Sequence, residues 1–333
     1  MTQGSIPRRR FIAIAAAASG MPLLAARHPA SALTPSLRIW SGVALGADAT
    51  LQINHPDATE ADRLIEQSLA EVERLEAIFS LYRPASALAR LNRDGVLDDP
   101  PPDLLRLLSE SQRFSDLTGG AFDVTVQPLW DVYAAHFARA GADPSGPPQA
   151  AIAAALRRIG HQRIVLDPAR IAFAEPAMAV TLNGIAQGYV TDRVVALLRR
   201  AGIAHALVDM GETCAIGSHP DGAPWSVGIE DPFSPGSAAE RISLRNHAVA
   251  TSGGYGTRFD ATGRFNHIFD PASGATSWRY KAVSVIARDA TTADALSTAM
   301  TLLPLAQCEA LVQRLGLAAH FVTADGRRLV QTA

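Results

Sequence analysis

The chain has 333 residues, 48% of them hydrophobic and 19% charged, so it is long enough to bury a large core in one or two lobes. Its formal net charge of -2, with no basic run interleaved with aromatic residues after the N-terminus, argues against a nucleic-acid binder. Only Cys214 and Cys308 are present, and the sequence leaves open whether they form a disulfide or stay as two buried thiols; neither is assigned a catalytic role.

The first residues read as an address. Arg8-Arg9-Arg10-Phe11-Ile12 has the twin-arginine form, and the apolar stretch from Phe11 to Ala26 is broken by Ser19-Gly20 and Pro22. Ala30-Ser31-Ala32 supplies a small-residue cleavage site before Leu33. A signal peptide over 1–32, export to the periplasm and a mature domain over 33–333 are expected. The junction has no cysteine for a lipid anchor, and no later apolar stretch is long enough to span a bilayer without breakers or charges.

Alternation from Ile39 to Ile53 around Ala44-Leu45-Gly46 predicts paired strands. A helix follows, with Thr59 as its expected cap and Leu64, Ile65, Leu69, Val72, Leu75, Ile78 and Phe79 as its apolar stripe. Asp94-Gly95 marks a turn, and Pro100-Pro101-Pro102 opens another helix carrying Leu104, Leu105, Leu107, Leu108 and Phe114. Residues 141–148, rich in Gly and Pro, are a linker or surface loop before an alanine-rich helix. After Asn183-Gly184 a helix over about 186–200 leads through Gly202 into a buried strand over 204–210. Short strands are expected over 225–229, 247–252 and 282–287, before a helix around Asp294 and a last helix-strand pair over 305–322. Strands and helices mix without strict βαβ alternation, which predicts an α+β fold.

The chemistry is concentrated in Thr291-Thr292-Ala293-Asp294-Ala295-Leu296-Ser297-Thr298, which puts Asp294 and Thr298 on one helix face. A carboxylate and a hydroxyl on one rigid face are hard-oxygen ligands suited to magnesium, which keeps other positions for water and phosphate. Asp294 as a mere helix cap is the alternative. Four further segments stand in order along the chain: Phe79-Ser80-Leu81-Tyr82 with Ser86, Gly119-Gly120-Ala121-Phe122-Asp123-Val124-Thr125-Val126, Leu182-Asn183-Gly184-Ile185-Ala186-Gln187-Gly188-Tyr189, and His267-Ile268-Phe269-Asp270-Pro271 with Gly274. From about Ser41 to the C-terminus, this ordered set resembles the ApbE family of FAD:protein FMN transferases.

The resemblance implies an α+β fold of mixed sheets with packed helices and an FAD/magnesium site between lobes. It carries a magnesium-binding backbone carbonyl onto Gly184 and side-chain ligands onto Asp294 and Thr298. Tyr82 falls where an aromatic ring packs on the flavin, although an ordinary core tyrosine fits the sequence equally. Ala121, Phe122 and Asp123 fall on a nucleotide-contacting segment, Ile268 on an apolar contact, and Leu45 where relatives often carry methionine. Thr181 stands where relatives usually have Asp, and Gln187 where they have Lys or Glu, so two charge-assisted contacts become neutral ones.

The implied reaction is attack by a Thr or Ser hydroxyl of another protein on the FMN phosphorus of FAD, with AMP leaving. Asp294 acts through the metal and His267 is the candidate base, histidine being the side chain that ordinarily titrates nearest neutrality; a brace for the Asp270-Pro271 turn is its alternative role. Two other readings share the site: a non-catalytic periplasmic FAD carrier or assembly factor, and a magnesium-dependent FAD pyrophosphatase. Export and the Leu-Asn-Gly-Ile-Ala-Gln-Gly variant are similar to the NosX-like proteins linked to nitrous oxide reductase maturation. That similarity implies a NosR-like membrane flavoprotein with a periplasmic FMN domain as acceptor. Asp270-Pro271-Ala272-Ser273-Gly274-Ala275-Thr276 also reads like an acceptor motif, which would allow self-modification at Thr276, but the enzyme signature occupies the same residues.

Overall fold

Alternating apolar positions on either side of Leu45-Gly46 fold into a hairpin in the computed structural model, which describes residues 36–234 and 237–333. The twin-arginine segment lies outside the described residues. Strands β1 (Ser36–Ala44) and β2 (Ala47–His55) pair antiparallel, from Ser36 opposite His55 to Ala44 opposite Ala47. A two-residue connection of this kind needs successive left-handed residues, and Leu45 (φ 50°) and Gly46 (φ 77°) supply them.

Helix α1 (Ala58–Phe79) buries the expected stripe, with Leu69 only partly covered. Its cap is Asp57 rather than Thr59: the Asp57 carboxylate accepts the N–H groups of Thr59 (2.8 Å) and Glu60 (3.3 Å). A cap must precede the first helical residue in extended conformation, and Thr59 is already inside the helix. Helix α2 (Ala87–Asp94) starts on Ser86, whose Oγ accepts the Ala89 N–H (3.0 Å), and ends at Gly95 in the left-handed region. Next come β3 (Val96–Asp98), the proline-initiated α3 (Pro102–Leu117), α4 (Gln127–Phe137), α5 (Gln149–Leu156), β4 (Ile164–Asp167) and β5 (Arg170–Phe173). The 141–148 segment is a surface loop, exposed except around Gly146 and Pro147. The second half of the chain runs α6 (Ala186–Arg200), β6 (Ala206–Asp209), β7 (Thr213–Ile216), β8 (Trp225–Glu230), β9 (Ala238–Leu244), β10 (Ala248–Ser252), β11 (Tyr280–Ala287), α7 (Ala290–Met300), α8 (Leu305–Leu315), β12 (Ala318–Thr323) and β13 (Arg328–Thr332).

The architecture is α+β. Eight strands form one sheet in the order β1-β2-β6-β7-β10-β11-β12-β13; β3-β5-β4 and β8-β9 form two small sheets, and the pairings are antiparallel. Successive side chains of a strand point to opposite faces, so the central strands serve two cores. Val208, Cys214 and Ala250 join the main core beneath α1, α6 and α7, while Leu207, Ala215 and Val249 join Trp225 and Val227 of the β8–β9 hairpin. A third cluster unites Leu129 and Tyr133 of α4, Ile152 of α5, and Phe265 and Phe269. Cys214 and Cys308 are free and buried, and burial pushes both thiols up to about 12, which leaves neither a ready nucleophile. Among the described residues no helix is long and apolar enough to cross a membrane.

Candidate active site

The site is built where α6 crosses α7, and the crossing depends on a glycine. A Cβ on Gly188 would lie 2.3 Å from the Ala290 carbonyl oxygen and 2.8 Å from Asp294 Cβ, so only glycine permits this approach. The Gly188 N–H donates to Asp294 Oδ2 at 3.0 Å. One turn further along α6, Asp192 accepts the N–H groups of Ala290 (2.8 Å) and Thr291 (2.8 Å), while Asp289 accepts that of Thr292 (2.7 Å). Helix α7 thus begins on two carboxylates, one from its own chain segment and one from α6. Burial pushes the Asp192 carboxyl up to about 6, against these hydrogen bonds.

Fixing α7 in this way sets the Asp294–Thr298 face against the turn that precedes α6. A Cβ on Gly184 would stand 2.9 Å from Thr298 Oγ1, so the Gly184 backbone, the Thr298 hydroxyl and the buried Asp294 carboxylate converge. Among the described residues no group of three or more His, Cys, Asp or Glu side chains could enclose a cation. The Asp294 carboxylate and the Thr298 hydroxyl, beside the Gly184 backbone, make a partial set of hard oxygens. That donor set fits magnesium, which retains waters and phosphate oxygens, and does not fit a soft or fully caged metal.

These residues line a cleft of about 520 Å³ whose walls also carry Leu45, Tyr82, Ala121, Phe122, Asp123, Thr181, Gln187, His267 and Ile268. All twelve residues singled out from the sequence therefore face one cavity. It lies between the main core, which contributes Phe79, Phe122 and Ala186, and the third cluster, which contributes Phe269, Val126 and Trp130.

Tyr82 is 77% exposed at the rim, so it is not a core tyrosine. Its loop is held by Ser80 Oγ, which accepts the N–H groups of Tyr82 (3.1 Å) and Arg83 (3.2 Å). Glu76, which the sequence reading did not single out, accepts the Leu45 N–H through Oε1 and pairs with Arg83 through Oε2, tying the hairpin turn to the Tyr82 loop. Asp123 stands on the cleft wall with its carboxylate engaged within the chain. One oxygen accepts Thr125 N–H (2.8 Å) and Oγ–H (2.6 Å), and the other accepts the His161 N–H (3.0 Å). It organises the 121–126 segment, and its second contact, from the same oxygen to His161 Nδ1 (3.3 Å), holds the His161 imidazole above its ordinary value, with help from Asp116 at Nε2 (2.9 Å).

Gln187 is buried, and its amide lies over Gly211, where a Cβ would meet Nε2 at 2.5 Å. Thr181 Oγ1 accepts the Asn183 N–H (3.3 Å). His267 Nδ1 stands 3.2 Å from the Thr257 carbonyl, an acceptor, so Nδ1 carries the proton and Nε2 is the basic nitrogen of the neutral ring. In the 270–274 turn Asp270 accepts from Ala272 N (2.9 Å) and Ser273 Oγ (2.6 Å). Thr276 is buried and donates to the Arg264 carbonyl (3.0 Å), which removes it as a site of self-modification. Glu212, Ser252 and Tyr255 also line the cleft and carry no local sequence signal.

The sequence profile described as the ApbE family matches residues 45–321. The FAD:protein FMN transferase of Escherichia coli (strain K12) is 27% identical over 309 residues, covering 90% of this chain and 88% of that protein. The FAD:protein FMN transferase of Treponema pallidum (strain Nichols) is 31% identical over 289 residues, covering 81% and 80%. A crystal structure of the flavinyl transferase ApbE of Pseudomonas stutzeri superposes with a TM-score of 0.74 at 29% identity, covering 90% of this chain and 96% of that one.

Proposed function

Since the chain belongs to the ApbE family, we propose that it is an FAD:protein FMN transferase, moving FMN from FAD to a Thr or Ser hydroxyl of an acceptor protein and releasing AMP. The observation that carries this reading is the single cleft into which the Gly184–Asp294–Thr298 set and the expected nucleotide-contacting residues all open. Apolar surface from Leu45, Ala121, Phe122 and Ile268 suits the flavin ring, with Tyr82 closing the rim. Thr181 and Gln187 offer neutral hydrogen bonds to the nucleotide.

Magnesium held by Gly184, Asp294 and Thr298 would neutralise charge on the FAD pyrophosphate. The chain's own residues do the rest. The acceptor oxygen bonds to the FMN phosphorus as its proton passes to His267 Nε2, and the bond from that phosphorus to the AMP oxygen breaks with its electron pair leaving on AMP. Asp294, which accepts the Gly188 N–H and would ligate the cation, is not the base. A second, open hollow of about 390 Å³ shares Leu81, Tyr82, Trp130 and Asn183 with the cleft, which supports approach by a second, macromolecular substrate. The twin-arginine sequence places this activity in the periplasm in our reading, with a periplasmic flavoprotein domain of the NosR-like type as acceptor.

Incubation of the purified protein with FAD, magnesium and such an acceptor domain tests the proposal. A mass gain of one FMN and in-gel flavin fluorescence of the acceptor are expected, both lost on Asp294→Ala. FAD binding with no gain would favour a carrier, and release of AMP and free FMN without acceptor labelling would favour a pyrophosphatase.

A further inference from the structure

Thr298 and two hydroxyls behind it, Ser252 and Ser297, form a chain whose polarity is fixed by its last member. Ser297 Oγ lies 2.9 Å from the Asp294 carbonyl oxygen, which can only accept, so Ser297 donates there. Having one proton, Ser297 must accept at its 2.8 Å contact with Ser252 Oγ. Ser252 therefore donates to Ser297 and must accept at its 3.0 Å contact with Thr298 Oγ1. The Thr298 proton is thereby turned toward Ser252 at the end of β10, and the hydroxyl shows only lone pairs to the Gly184 side.

We infer that Ser252 and Ser297 are positioning residues that fix Thr298 as a lone-pair donor to a divalent cation. A threonine hydroxyl free to rotate could as well donate to a phosphate oxygen; in this chain it cannot. The same relay ties the donor to both its neighbours, since Ser297 anchors on the carbonyl of Asp294 and Ser252 stands on the strand that packs beneath α7. The inference rests on the magnesium reading of the Gly184–Asp294–Thr298 set, and it concerns cation binding rather than transfer.

The test is titration of the full chain, in the presence of FAD, with Mn²⁺ followed by the electron paramagnetic resonance signal of the free ion. Ser252→Ala should weaken Mn²⁺ binding about tenfold or more, as loss of an orienting partner behind a metal ligand does, whereas Ser252→Thr keeps donor and acceptor and should stay close to wild type. In a Thr298→Ala background Ser252→Ala should change nothing further, because its effect passes through the Thr298 hydroxyl. Ser297→Ala, which releases the chain's polarity, should also weaken binding and carries the same test should Ser252→Ala unfold. Wild-type Mn²⁺ affinity in Ser252→Ala, or an equal loss with and without Thr298, overturns the inference. Acceptor labelling is not a readout here, so a failed transferase assay beside intact Mn²⁺ binding would strike only the functional reading.

Discussion

Leu45 shows how a residue's conformation and its function can pull apart. A left-handed φ of 50° is disfavoured for a leucine by about 1–2 kcal/mol, yet the residue stands there with its side chain on the cleft wall. Asn tolerates this conformation better, at the loss of partly buried apolar surface. Leu45→Asn should therefore leave the unfolding midpoint in urea nearly unchanged while FAD affinity falls about tenfold, a loss of about 1.5 kcal/mol of apolar contact; fluorescence titration with FAD reads the second effect. Gly188 is the opposite case, a residue chosen for what it lacks. Gly188→Ala drives a methyl into the Ala290 carbonyl and Asp294, and should cost about 1–3 kcal/mol in urea unfolding together with cation binding. Cleft residues with local signatures, such as Asp294 and Thr298 four apart, were legible in the sequence. Glu76 was not, because its partner at Leu45 is 31 residues away and only the folded hairpin brings them together.

At the scale of elements, long periodic segments were legible and short ones were not. Helix α6 begins and ends where its apolar stripe does, and α7 was located by its small and apolar residues. Strands β3, β4 and β5 have three or four residues each, too few to show an alternation, and α2 has a single turn's worth of apolar positions. Nor does sequence show that α6 caps α7 through Asp192, 98 residues before Ala290. Asp192→Ala should destabilise by about 0.5–2 kcal/mol, the usual worth of a cap. Its pH dependence has a definite sign. The folded chain holds the Asp192 proton up to about 6, above the ordinary value of 3.8, so it binds protons that the unfolded chain has released. The contribution of this group to stability is thus most favourable below the unfolded value and declines as pH rises through that window. Asp192→Asn removes the titration. Urea unfolding across the window should show wild type losing stability with rising pH relative to Asp192→Asn; a constant difference between the two would contradict the assignment.

Across the whole molecule, the cleft gathers segments from Leu45 in the first hairpin to Thr298 in the penultimate helix, on a sheet whose strand order β1-β2-β6-β7-β10-β11-β12-β13 no periodicity announces. The α+β class followed from how helices and strands intermix, but pairing order is set by contacts distant in sequence. A ligand in such a cleft bridges elements distant in the sequence, so binding should stabilise the entire chain. One that binds only the folded state adds about 2.7 kcal/mol at one hundred times its Kd. FAD alone should then raise the thermal midpoint by several degrees. Magnesium alone should add little, since the chain offers a partial donor set, and should add a clear increment once FAD brings its phosphates. Asp294→Ala should keep the first increment and lose the second. Thermal scans of both proteins with FAD, magnesium and the two together read this directly. A magnesium increment that is the same with and without FAD, or that survives Asp294→Ala, would mean that the cation binds somewhere other than between α7 and the nucleotide.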